Sequence, residues 1–134
     1  MVTGMGMSTD LPWDASAPAA ARRIVEASVP AGPLRQDALI VVSELVANAW
    51  RYGDRPIRLV LQGDGDGLPS GSLHIAVSNR QRSASPSVPE RTIAGRPDGL
   101  GGRGIDLVAA VAKDWGWQVE AETITVWARL ETLP

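Results

Sequence analysis

Two stretches of this chain carry residue types whose spacing could do chemistry. The first is S-E-L-V-A-N-A-W-R-Y-G, Ser43 to Gly53, in which Glu44 and Asn48 stand four positions apart. On a helix they would project about 40° from one another. A carboxylate can take a proton, and a carboxamide oxygen is a hard ligand, so the pair suits a site built of a cation and water. The second is G-L-G-G-R-G, Gly99 to Gly104, running into an apolar stretch. Glycines that open a helix present bare N–H groups at the positive end of its dipole, which favours an anion. The first stretch is also compatible with a half-exposed Glu and Asn that do no chemistry, the commoner outcome for such a pair.

The elements that must position these residues follow from periodicity. Leu34, Ala38, Val41, Val42, Leu45, Val46 and Ala49 mark one buried face of a helix over Leu34 to Tyr52, with Pro33 in its first turn and Gly53 as its stop. Glu44 and Asn48 fall on the shoulder of that stripe. Ala17 to Val29 reads as an earlier helix with Ser16 as N-cap, and Asp10 to Asp14 as a short edge strand. Alternation predicts strands over Pro56 to Gln62 and Ser72 to Ser78, the latter turning His74 to solvent. Asn79 to Asp98 is a serine-, proline- and arginine-bearing insert without periodicity, expected to form a lid or a plain loop. Ile105 to Lys113 has helical spacing, and Trp115 to Glu120 with Thr123 to Leu130 form a closing strand pair. Residues 1–9 are expected to be a flexible terminus and 10–134 a single domain, with the lid at about 79–98.

Bulk properties narrow the function classes. The 134 residues are 44% hydrophobic and 21% charged, as in a globular domain with a real core. A net charge of -2 argues against nucleic-acid binding. There is no cysteine, hence no disulfide or thiolate metal site, and the single histidine removes most zinc chemistry. No apolar run is long enough to span a bilayer, and no signal-peptide pattern opens the chain, so a cytoplasmic location is expected. The acidic turn at Gly63 to Gly67 lacks the glutamate an EF-hand needs at its twelfth position. Gly99, Gly101 and Gly104 match G-x-G-x-x-G, but no strand precedes them, as a dinucleotide fold requires. The only lysine, Lys113, lies beyond the glycines, so there is no P-loop.

The order of parts is more specific than either stretch: Glu-x-x-x-Asn helix, two strands, insert, glycine turn opening a helix, two strands. In this order the chain resembles the GHKL (Bergerat-fold) ATPases, and most closely the anti-sigma-factor serine-kinase branch. Ser43 to Gly53 corresponds to the N-box and G-L-G-G-R-G-I-D-L-V, Gly99 to Val108, to the glycine-rich phosphate box. The opening L-P-W-D-A-S-A-P-A-A-A-R-R and the closing T-V-W-A-R-L are similar to actinobacterial members.

The resemblance implies an α+β two-layer sandwich, a mixed, mostly antiparallel sheet with about three helices on one face. It implies ATP and Mg²⁺ as cofactors. Glu44 would be the general base and Asn48 the Mg²⁺ ligand, while Gly99, Gly101, Gly102 and Gly104 would hold phosphate, with Arg103 as an additional contact. Asn79 stands where the family has an adenine-reading aspartate, which implies weakened or altered nucleotide recognition. The implied function is phosphorylation of an antagonist protein and control of a sigma factor, with a homodimer as the assembly. The alternative is a protein-binding module that keeps the fold and ignores nucleotide.

Overall fold

The computed structural model describes residues 6–63, 72–81 and 103–131. They form five strands and three helices: β1 (Gly6–Leu11), α1 (Ala17–Ser28), α2 (Pro33–Tyr52), β2 (Gly53–Gly63), β3 (Ser72–Gln81), α3 (Arg103–Val111), β4 (Asp114–Glu120) and β5 (Thr123–Glu131). The sheet order is β1-β2-β3-β5-β4. Every pairing among the described residues is antiparallel, so the expected mixed sheet is here an antiparallel one.

The core follows from alternation. Ile57, Leu59 and Leu61 of β2, Leu73, Ile75 and Val77 of β3, and Ala128 and Leu130 of β5 all turn to one face and are buried. The apolar stripe of α2 lies on that face. Its period of three and four meets the sheet's period of two, and each fully buried Ile or Leu removes apolar area worth about 1.5–3 kcal/mol. α1 packs on α2 towards the β1 edge, and α3 packs on α2 towards the β4 edge. The other face carries Arg58, His74, Trp127 and Arg129, with Arg58 paired to Asp10 at 3.0 Å.

Local chemistry sets the helix ends. Ser16 occupies the N-cap position of α1 but makes no capping bond with its side chain. Instead its N–H (2.7 Å) and its hydroxyl both donate to the Asp14 carboxylate, while Ala17 N–H donates to Asp14 O at 3.0 Å. Those donors hold the Asp14 carboxyl below the usual carboxylate range. At the other end of α1, Arg35 of α2 donates from Nε to Val29 O (2.9 Å) and from Nη2 to Glu26 O (2.8 Å). One guanidinium thus satisfies carbonyls that a helix end leaves bare.

Three expected boundaries move. The strand at the start begins at Gly6, inside the stretch expected to be flexible through residue 9. Met7 and Thr9 turn inward with Leu11, and the ladder runs from Gly6–Gln62 to Leu11–Ile57. β2 begins directly at Gly53, because Gly53 and Asp54 pair with Gln81 and Arg80 before the register shifts ahead of Arg58. β3 continues through Gln81, with Asn79 opposite Ile124 and Arg80 opposite Thr123, so the first residues assigned to the lid are strand. The rest of that insert, 82–98, lies outside the described residues.

Candidate functional site

The C-terminal half of α2 gathers the polar residues singled out above. Asn48 is only 8% exposed, inside a helix face otherwise made of Leu, Val and Ala. Its Nδ2 is buried with no hydrogen-bond partner. A buried amide left unpaired costs about 1–3 kcal/mol, so this one is retained against stability. Glu44, one turn earlier, is half-buried. On a helix such a pair stands about 5–6 Å apart between Cβ atoms. The carboxylate therefore has access to solvent while the carboxamide faces the interior.

Asn79 approaches from the sheet. It follows Leu73, Ile75 and Val77 on the inward face of β3 and is likewise 8% exposed. Its Nδ2 donates to Arg80 O at 2.6 Å. The side chain lies over Gly53, where α2 passes straight into β2. A Cβ at Gly53 would stand 1.8 Å from Asn79 Nδ2, 2.6 Å from its Cγ and 2.9 Å from Ala49 O. Glycine here serves close approach. Its backbone (φ -108°, ψ -160°) is extended and open to any residue. The sequence marked Gly53 as a helix stop; its second role, making room for Asn79, is a contact between distant positions that periodicity does not reveal.

Of the glycine run, Gly99, Gly101 and Gly102 lie outside the described residues, while Arg103 and Gly104 form the first turn of α3. α3 packs against α2 on the same side of the sheet, so that turn and the Glu44–Asn48 helix share one layer. His74 is on the opposite face, stacked on Trp127 with ring centroids 5.6 Å apart. Partial burial, and secondarily the nearby Arg129 charge, push its pKa below the ordinary histidine value. His74 thus lies on the sheet face away from Glu44, but stacked on Trp127 and half-buried rather than turned to solvent as expected.

No group of three or more His, Cys, Asp or Glu side chains able to hold a metal occurs among the described residues. A cation at Asn48 would therefore draw its other ligands from water and from a bound anion, the habit of Mg²⁺ with phosphates. The Asn48 atom left without a partner is its Nδ2 donor, which calls for an acceptor such as water or a phosphate oxygen, while a cation would take the carboxamide oxygen. No helix among the described residues is long and apolar enough to cross a membrane. No protein-family model matches the chain, and no curated protein matches it. The described residues form an α+β arrangement of three helices and a five-stranded antiparallel sheet.

Proposed function

We propose that the chain is an ATP- and Mg²⁺-binding regulatory domain of Bergerat type, acting as a serine kinase on an antagonist protein and thereby controlling a sigma factor. The observation that carries this reading is the buried Asn48 amide, whose Nδ2 has no partner and calls for an acceptor such as a phosphate oxygen, one turn beyond the half-buried Glu44. A structural helix has no reason to keep such an amide; a helix that completes its shell with a ligand does. The packing of α3, whose first turn holds the last two residues of the glycine run, onto the same helix supports it further.

Bound Mg²⁺–ATP would supply the transferable phosphoryl group and the charge that neutralises it. Asn48 would hold the cation through its carboxamide oxygen. Glu44 would accept the proton of the incoming serine hydroxyl as that oxygen bonds to the γ-phosphorus and ADP departs. Backbone N–H groups at Gly99, Gly101, Gly102 and Gly104 would donate to phosphate oxygens, with Arg103 as an additional contact. Asn79 would meet the base. Because its NH₂ is engaged by Arg80 O, base recognition rests on what remains of the amide, which favours modest affinity. That same bond favours the second reading, a partner-binding module indifferent to nucleotide.

Titration calorimetry with ATP and ADP, with and without Mg²⁺, tests the reading. Mg²⁺-dependent binding lost in Asn48→Ala is expected. Transfer of labelled phosphate to an antagonist, lost in Glu44→Ala while nucleotide binding survives, is expected as well. Absence of binding at millimolar ATP with Mg²⁺ would remove the kinase reading. A gain of affinity in Asn79→Asp would locate the defect at that position.

A further inference from the structure

Near its end, β3 passes an interruption in the ladder it forms with β2. Asp54 pairs with Arg80 and Arg58 with Ser78, and the register shifts between them, so Asn79 has no counterpart on β2. Its amide turns to its own strand instead, and Nδ2 donates to Arg80 O at 2.6 Å. That contact fixes which end of the amide is which. A carbonyl oxygen at this distance can be met only by a donor, and turning the amide over would set two acceptors against one another. Oδ1 is therefore the end that faces away from Arg80 O. It receives no bond among the described residues, yet it is not sealed off, since the buried side-chain atom without a partner there is Nδ2 of Asn48. Asn79 lies over Gly53 and close to the carbonyl of Ala49, the residue next to Asn48, so this free acceptor stands at the same end of α2.

We propose that Arg80 O sets the hydrogen-bonding sense of the candidate site by holding Asn79 as an acceptor only. Position 79 then admits a ligand's N–H group, refuses a ligand's carbonyl, and works with asparagine but not with aspartate. The ligand half rests on the nucleotide reading above: the purine selected carries an amino group, not an oxo group, at C6. The residue half rests on the protein alone. Aspartate has no donor for Arg80 O, and its carboxylate would stand against that carbonyl at a position only 8% exposed. The neighbouring Arg80 guanidinium does not compensate, because it alternates to the outer face of the sheet and is engaged by Glu122 at 2.7 Å. Asparagine here is thus no weakened aspartate. It answers on both sides, donating to its own strand and accepting from a ligand.

The test uses the full chain and two nucleotides that differ at C6, ATP and its 6-oxo analogue ITP, each titrated calorimetrically with Mg²⁺. Urea unfolding of Asn79→Asp between pH 7.5 and pH 5 accompanies it. The expected result is ATP binding at least about tenfold tighter than ITP. That preference disappears in Asn79→Ala, and Asn79→Asp gains no affinity for ATP. The urea midpoint of Asn79→Asp falls below the wild type's at pH 7.5, and the gap closes as pH is lowered. Crowding by Arg80 O raises the folded-state pKa of the new carboxyl, which donates to that carbonyl once protonated. If Asn79→Asp is unfolded at pH 7.5, recovery of the fold at pH 5 is the same result. Equal affinities for ATP and ITP, tighter ATP binding by Asn79→Asp, or a gap that stays constant with pH would overturn the proposal. Binding of neither nucleotide beside a gap that closes with pH would overturn its purine half alone, together with the nucleotide reading.

Discussion

Gly53→Ala isolates the contact on which the candidate site's geometry depends. The Gly53 backbone is extended, so alanine meets no torsional penalty there, and restricting the unfolded chain would by itself stabilise the fold by about 0.4–1 kcal/mol. Opposing this, the new Cβ would fall 1.8 Å from Asn79 Nδ2 and 2.9 Å from Ala49 O. Asn79 must move, which forfeits its 2.6 Å bond to Arg80 O, worth about 0.5–1.5 kcal/mol. Crowding at a well-packed position costs a further 1–3 kcal/mol or so. The clash wins, for a net loss near 2 kcal/mol, or a Tm lower by roughly 6–8 °C at this chain length. Urea unfolding of Gly53→Ala, Asn79→Ala and the double variant measures it. Removing the Asn79 amide relieves two of the three short contacts, so the double variant should be about 1–2 kcal/mol more stable than the sum of the singles. Additivity within about 0.5 kcal/mol, or a neutral Gly53→Ala, would refute the reasoning.

Asn48→Leu keeps the branched outline of the side chain and removes a buried amide without a partner. It should raise unfolding stability by about 1 kcal/mol while abolishing Mg²⁺-dependent ATP binding; a loss of stability would mean the amide is satisfied in the fold. For His74, the folded pKa lies below the unfolded value of about 6.5. The unfolded chain therefore binds the proton more readily, and the contribution is present above pH 6.5 and fades as pH falls towards the depressed folded pKa. Urea midpoints for the wild type should drop between pH 7.5 and pH 5 more steeply than those of His74→Gln; parallel profiles would contradict the assignment.

Where side-chain pattern dominates, the sequence was readable. The α2 stripe lands within a residue of its expected span because seven apolar positions repeat at one period. β5 does likewise, since T-I-T-V-W-A-R-L alternates with branched and aromatic residues. Elements held by register are harder to see. β1 has only Met7, Thr9 and Leu11 to mark its inward side, and it becomes a strand because β2 offers it a ladder. Pro56 conceals that β2 starts at Gly53. Ser16 takes the expected N-cap position, but its bonds to the Asp14 carboxylate depend on the local backbone, which residue type alone does not specify. At the site, the pairing of Glu44 with Asn48 is a local fact of helix geometry and could be read directly. The depth of Asn48 depends on how the sheet meets α2, and the seat of Asn79 on Gly53 joins two elements that sequence spacing does not connect.

The two unusual regions of the molecule have one cause, the placement of helices over a sheet wider than they can cover. α2 contacts β2, β3 and β5 and runs without a loop into β2, so its last turns are pinned against the inward face of β3. Polar residues there, Asn48 and Asn79, cannot escape to solvent and must be satisfied by neighbours or by a ligand. At the opposite margin, α3 ends before β4 does, and Val119 stays open although it points to the helix side.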